Sequence, residues 1–175
     1  LYQELYHEEG ITFVENTQYL WSGSMLSLAC ASEQIHDDFV LLECDHVFEK
    51  RILAEILENE QDTCLVARSM STEGNDCLVE LDSKGDLFRI SKDIRQLNHV
   101  DCILTGIHKI SYQFYQKMLG YFKGNQNLLL NYEYVIETMA RYYRVPILYL
   151  DDVLCWDMNS QTIYTKVCNQ YYKKI

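Results

Sequence analysis

The chain has 175 residues, 48% hydrophobic and 13% aromatic, with one proline and a net charge of −11. That length and hydrophobic share predict a single domain with a full core, and exclude a disordered chain or a fibre. No apolar run reaches the roughly 18 residues a membrane span needs, and a pI near 4.8 argues against a nucleic-acid backbone as principal partner.

Residues 1–9 pair Leu1 with Leu5 and Tyr2 with Tyr6 at helical spacing, and 11–14 read as a short strand. A polar loop containing Tyr19 and Trp21 ends in Ser22-Gly23-Ser24, and a helix over 25–33 takes Ser22 or Ser24 as its N-cap. Phe39-Val-Leu-Leu42 is a continuous apolar run, the pattern of a strand buried on both faces, and it ends in Glu43-Cys44-Asp45. Residues 48–60 carry Ile52/Ile56 and Leu53/Leu57 on one helical stripe, and 64–67 form another buried strand before a loop over 69–76. Strands at 77–81 and 87–91 flank a turn in which Gly85 takes the left-handed position. A strand over 102–107 closes in Thr105-Gly106, and helices follow at 109–122 and 127–143. Strands at 145–150 and 154–157 precede a last helix capped by Asn159 or Ser160. This alternation predicts an α/β, Rossmann-like three-layer sandwich with a mainly parallel sheet and a β-hairpin excursion.

The acid is unevenly placed. Residues 1–88 hold 19 Asp and Glu against 4 Lys and Arg, a net of −15, whereas 89–175 carry a net of +4. Solvated acidic faces account for most such surpluses; convergence of some carboxylates on a cation is the sharper reading. Seven dispersed cysteines without a CxxC pair fit reduced thiols in a cytoplasmic protein rather than a disulfide scaffold or a zinc site.

In an open parallel sheet, ligands bind beyond the carboxyl ends of the strands. Asp45 and Asp157 each end a strand, and two carboxylates at one rim suit a hard divalent cation; an N-cap for Asp45 and a turn for Asp157 are the bland readings. Ser22-Gly23-Ser24 is either a helix cap or a place where a ligand approaches backbone N–H groups closely. Lys92, after the hairpin, either neutralises a phosphate or is solvated. Tyr19 and Trp21 are candidate walls for a base or a quaternary ammonium.

Taken in order, these pieces resemble the nucleotidyltransferase family that includes sugar-1-phosphate nucleotidyltransferases and phosphocholine cytidylyltransferases. Phe13-Val-Glu-Asn-Thr17 through Ser22-Gly-Ser-Met-Leu-Ser-Leu-Ala29 is similar to its strand, Asn-containing loop and small-residue helix start. Phe39-Val-Leu-Leu-Glu-Cys-Asp45 resembles its metal-motif strand, and Asp82-Ser-Lys-Gly85 with Ile90-Ser-Lys92 its lysine-bearing hairpin. Leu104-Thr-Gly-Ile107 resembles the strand whose glycine lines the acceptor pocket. Tyr132-Glu-Tyr-Val-Ile136, Val145-Pro-Ile-Leu-Tyr-Leu150 and Trp156-Asp157 resemble its closing run.

The resemblance implies a nucleotide-diphospho-sugar transferase-like fold and Mg2+-dependent nucleotidyl transfer from an NTP, CTP preferred, to a small phosphorylated acceptor such as phosphocholine, a phosphonate or a sugar 1-phosphate. It implies Asp45, Asp157 and Lys92 as catalytic residues, with Mg2+ on the two aspartates. Ser22, Gly23, Ser24, Glu43, Gly106, Glu133 and Trp156 are then substrate-binding. No nucleic-acid or membrane partner is implied. Two departures stand out. No Gly-rich stretch precedes Ile11, so the chain reads as most of a domain without its first strand and phosphate loop, and position 155, where one branch carries a further acid, is Cys155. A nucleotide-sugar-dependent glycosyltransferase of related fold and a non-catalytic nucleotide-binding module are the alternatives.

Overall fold

Strand β3 (Cys64–Arg68) shows how the layers arise. Its side chains alternate, so Leu65 and Ala67 enter one core while Cys64 and Val66 enter another. Both faces must therefore be covered. The structure, a computed structural model, describes residues 10–70 and 77–171. The larger core packs helices α1 (Ser24–Cys30), α3 (Tyr112–Gly124) and α4 (Tyr132–Ala140) on one sheet face. The smaller packs α2 (Lys50–Glu58) on the other, where Ile52 and Ile56 are fully buried. Helix α5 (Gln161–Tyr171) follows the last strand, and the Ser160 hydroxyl caps it by accepting from the Ile163 N–H at 3.2 Å.

The remaining strands are β1 (Phe39–Leu42), β2 (His46–Phe48), β4 (Leu78–Leu81), β5 (Leu87–Ser91), β6 (Cys102–Ile110), β7 (Ile147–Tyr149) and β8 (Cys155–Asp157). The main sheet has the order β5-β4-β6-β3-β7, with β1 also on β6, and β2 and β8 form a separate ribbon. The three-layer α/β class holds. Strands β1, β3, β4 and β7 run one way and β5 and β6 the other.

Several sequence expectations are corrected. The sheet is mainly parallel in strand direction, as expected, but β6 runs against its neighbours, so β3–β7 is the only hydrogen-bonded parallel pair in the sheet among the described residues. Strand β6 continues to Ile110, and Thr105-Gly106 lies in its middle rather than at its end. Residues 11–14 form no strand, and Ile11, Phe13 and Val14 stay exposed. Strand β1 is only half-buried, because among the described residues it pairs on one side alone. The N-cap of α1 is Gly23, not a serine; its first-turn N–H at Ser24 donates instead to Asn131 Oδ1 at 3.1 Å. The strand β2 was not expected, and Phe48 belongs to it rather than to a helix. The helix expected over 1–9 and most of the 69–76 loop lie outside the described residues.

The hairpin is local chemistry. Gly85 sits at φ +81°, and Asp82 Oδ1 accepts from the N–H groups of Lys84 and Asp86 at 2.8 and 3.0 Å. Its base is anchored at long range, where Arg144 Nε donates to both Asp86 carboxylate oxygens at 2.8 and 3.1 Å.

Candidate active site

Strands β1 and β4 lie end to end along one edge of β6, leaving a gap opposite residues 104–106. Glu43 N–H donates across the near side to Gly106 O at 3.0 Å, and Leu104 N–H across the far side to Cys77 O at 3.0 Å. On its other edge β6 bulges: Leu65 pairs with His108 but Ala67 with Leu104, so three β6 residues oppose one on β3. The bulge frees backbone groups, and side chains satisfy them. Thr105 Oγ1 donates to Val66 O at 3.0 Å, and the Cys155 thiol lies 3.7 Å from Thr105 O. Gly106 turns through the bulge at φ +69°, and a methyl group there would lie 2.7 Å from Glu43 Oε2 and from His46 Cε1.

Over this gap lies a cleft with Leu104, Thr105 and Gly106 as its floor. Glu43, His46, Asp157 and Glu133 supply its acidic and imidazole wall, and Arg68, Lys92 and Tyr132 much of the remainder. The fold brings them together by strand ends. Glu43 follows β1, Arg68 ends β3, and Lys92 follows β5 beside the start of β4, because Leu78 pairs with Ser91. Tyr132 and Glu133 open α4. Tyr132 Oη donates to Glu43 Oε1 at 2.7 Å. Burial pushes the Tyr132 phenol well above its usual range, with the Glu43 charge adding to it. Burial also raises the Glu133 carboxyl and the nearby Glu43 charge pushes the same way; its own helix N–H, Lys92 and the Ser24 hydroxyl oppose this. Cys77 and Cys155, pushed by burial up to about 12 and about 11, stay thiols at neutral pH. Among the described residues neither Lys92 nor Arg68 makes an ion pair. The cleft thus carries two uncommitted cations facing a carboxylate cluster.

At one corner, β2 pairs with β8 so that His46 lies opposite Asp157. His46, its side chain 7% exposed, sits between two aspartates: Nε2 is 3.1 Å from Asp157 Oδ1 and Nδ1 is 3.2 Å from Asp45 Oδ1. Glu43 Oε2 lies 3.8 Å from Nδ1. Glu43, Asp45 and His46 place their donor atoms within 4.8 Å of one another.

Of the residues singled out by sequence, Glu43, Lys92, Gly106, Glu133 and Asp157 line the cleft, and Asp45 stands behind His46 at its corner. Ser24 supports the wall: its hydroxyl accepts from the Tyr132 N–H at 3.1 Å and donates to Glu133 Oε2 at 3.4 Å. Ser22 and Gly23 do not line it. Ser22 Oγ accepts from Asn16 Nδ2 at 3.0 Å, and Gly23 is demanded by packing, since a Cβ there would lie 2.4 Å from Leu130 O. Trp156 also faces elsewhere, because strand alternation sends it away from Cys155 and Asp157 and under Lys166 Nζ, 4.3 Å from its ring centre. Tyr19 and Trp21 are exposed outside the cleft. His46, Arg68 and Tyr132 were not picked out as site residues. Arg68 carried a signal, since it ends a strand at the same rim; Tyr132 had none among fourteen tyrosines.

No protein-family model matches the sequence. The chain has the fold of solved nucleotidyltransferases. It is similar to the CTP:phosphocholine cytidylyltransferase from Streptococcus pneumoniae (14% identity, 97% of this chain and 73% of that one, TM-score 0.72). It is also similar to the inositol-1-phosphate CTP transferase from T. maritima (15% identity, 85% and 60%, TM-score 0.70) and to a UDP-glucose pyrophosphorylase solved with UDP-glucose (14% identity, 89% and 64%, TM-score 0.70). The chain therefore spans 60–73% of the length of these structures.

Proposed function

We propose that the protein is a nucleotidyltransferase that joins an NTP, CTP by preference, to a small phosphorylated acceptor, with Mg2+ as the cation. The observation that carries this reading is the cleft itself. Lys92 and Arg68, neither of them in an ion pair among the described residues, share it with Glu43 and Glu133 on the β6 bulge, in the fold of enzymes that act on such substrates. An acceptor oxygen forms a bond to the α-phosphorus, the bond from that phosphorus to the β-phosphate bridge oxygen breaks, and pyrophosphate leaves with the electron pair. A phosphate dianion attacks without losing a proton, so the protein contributes position and charge rather than covalent chemistry.

Each side chain then has a task. Lys92 and Arg68 offset the acceptor's phosphate charge. Tyr132 fixes Glu43 through Oε1, and the Glu43–Glu133 wall accepts a cationic or hydroxylated acceptor body. A trimethylammonium group suits this wall, with the Tyr132 ring beside it, which supports phosphocholine ahead of a sugar 1-phosphate. Asp45 and Asp157 would hold the divalent cation once the His46 ring that stands between them swings aside, and the ion would supply charge neutralisation for the anionic substrates. The β6 floor at Gly106 lets Glu43 and His46 pack directly against backbone.

The test is pyrophosphate release. The protein, expressed with its natural flanking sequence, is incubated with CTP or UTP and with phosphocholine, 2-aminoethylphosphonate or glucose 1-phosphate. Release with phosphocholine and CTP, falling at least a hundredfold in Asp45→Ala and tenfold in Lys92→Ala, is expected. Transfer of a sugar from a nucleotide-sugar without pyrophosphate would refute it, as would the absence of turnover with every pair.

A further inference from the structure

A second cavity, of about 270 Å3, lies at the other end of β3 from the cleft, where residues 61–63 enter that strand, α3 begins and residues 143–146 lead into β7. It shares no lining residue with the cleft. We infer that this cavity is a further binding site, and that its ligand is a small zwitterion with a phosphate or phosphonate at one end and an ammonium group at the other.

The anionic end is assigned by three kinds of donor that the protein leaves unspent. Lys117 Nζ stands 4.0 Å over the Tyr143 ring centre, which fixes the ammonium without neutralising it. It makes no ion pair among the described residues. Arg144 spends only Nε, which donates to both Asp86 carboxylate oxygens at 2.8 and 3.1 Å. That contact holds the guanidinium in place. Among the described residues Nη1 and Nη2 donate to nothing, so a planar set of N–H donors remains. Thr63 and Ser111 supply the third donor. Their hydroxyls lie 2.9 Å apart, Thr63 Oγ1 accepts from the Ser111 N–H at 3.0 Å, and Ser111 Oγ accepts from the Phe114 N–H at 3.3 Å. Two hydroxyls bring two protons, and the bond between them uses one. The other has no acceptor among the described residues, although Thr63 is only 9% exposed.

A phosphate or phosphonate presents three acceptor oxygens, one for each of these donors, where a carboxylate presents two. The ammonium end is assigned by Asp62. It lines the same cavity, exposed and without an ion pair among the described residues. A carboxylate in the wall works against a bare anion, and an ammonium group on the ligand turns that repulsion into attraction. The volume is close to the roughly 300 Å3 at which ligand pockets begin, which restricts the ligand to a small molecule.

The test is binding resolved residue by residue, without turnover. The protein is titrated with 2-aminoethylphosphonate and, separately, with inorganic phosphate, and 1H–15N NMR follows the backbone amides. Saturable shifts at Gln113, Lys117 and Tyr143 are expected with 2-aminoethylphosphonate, and weaker binding with phosphate. Lys117→Gln should raise the Kd read at those amides about fivefold for both probes, and Asp62→Asn about threefold for 2-aminoethylphosphonate alone. No shift at these amides in the wild-type protein overturns the inference, whatever the variants do, as do shifts confined to Lys92, Gly106 and Glu133 in the cleft. Shifts that a folded Lys117→Gln leaves unchanged overturn it too, and phosphate bound as tightly as 2-aminoethylphosphonate overturns the zwitterion. Because no transfer is measured, the nucleotidyltransferase reading of the cleft stands or falls separately.

Discussion

Gly106→Ala is the most informative single perturbation of the cleft floor. An L-residue at φ +69° is disfavoured by about 1–2 kcal/mol. The added methyl would also lie 2.7 Å from Glu43 Oε2 and His46 Cε1 and 3.0 Å from Glu43 Cδ. Those atoms belong to side chains, so they can shift, but neither is free to do so. Glu43 is tied to Tyr132 at 2.7 Å and His46 is held between Asp45 and Asp157. Breaking the Tyr132–Glu43 bond costs about 1.5–3 kcal/mol, the usual range for a bond to a charged group. The two effects together come to about 2.5–5 kcal/mol, a large part of a domain's typical stability. Urea denaturation read by far-UV circular dichroism should show the midpoint falling with the slope unchanged. Gly120→Ala is the control: it lies exposed within α3 with nothing within 4 Å of a built Cβ, so it should raise stability by about 0.5–1 kcal/mol. A loss below about 1 kcal/mol for Gly106→Ala refutes the argument that the bulge and the site are packed against each other.

Three further outcomes follow from the buried polar groups. His108 is fully buried with neither ring nitrogen hydrogen-bonded, and burial lowers its pKa from 6.5 to about 3. The unfolded chain therefore binds the proton that the folded one refuses, so stability falls as pH drops from 6.5 toward 3; His108→Leu should flatten that decline in pH-dependent urea melts and add about 1 kcal/mol at pH 7. Glu133 behaves oppositely. Its raised pKa means stability is fullest below the ordinary value of 4.5 and declines as pH rises through the folded value, so Glu133→Gln should be more stable than wild type at pH 7 while raising KM for a cationic acceptor. Tyr132→Phe should lower stability by about 1.5–3 kcal/mol and affect acceptor KM more than NTP KM, measured by urea melts and initial rates.

The apolar runs, the turn chemistry and the strand-helix alternation were enough to determine the α/β class. Leu65 and Ala67 had to alternate with Cys64 and Val66 whatever the topology, Gly85 and Asp82 had to make the hairpin turn, and Ile52 and Ile56 had to share a buried stripe. These depend on neighbours in sequence, which is why they are legible there. The rim carboxylates Glu43 and Asp157 and the hairpin Lys92 were legible for a related reason, since strand ends are local features and open sheets place ligands at them.

Only tertiary structure decided the rest. That β6 runs against β1, β3 and β4 follows from which edge the chain re-enters after the hairpin. No local pattern records that choice, and it moved Gly106 from a strand end to the middle of a bulge. Trp156 left the cleft because a period of two alternates faces, and which face was inward depended on pairing with β2. His46 entered the site by that same pairing, opposite a residue 111 positions away in the chain. A lone histidine after an aspartate carries no signal of its own. Its meaning comes from Asp157, which a distant segment brings to Nε2 opposite the local carboxylates Asp45 and Glu43 at Nδ1, and a contact of that kind is set by packing rather than by sequence spacing.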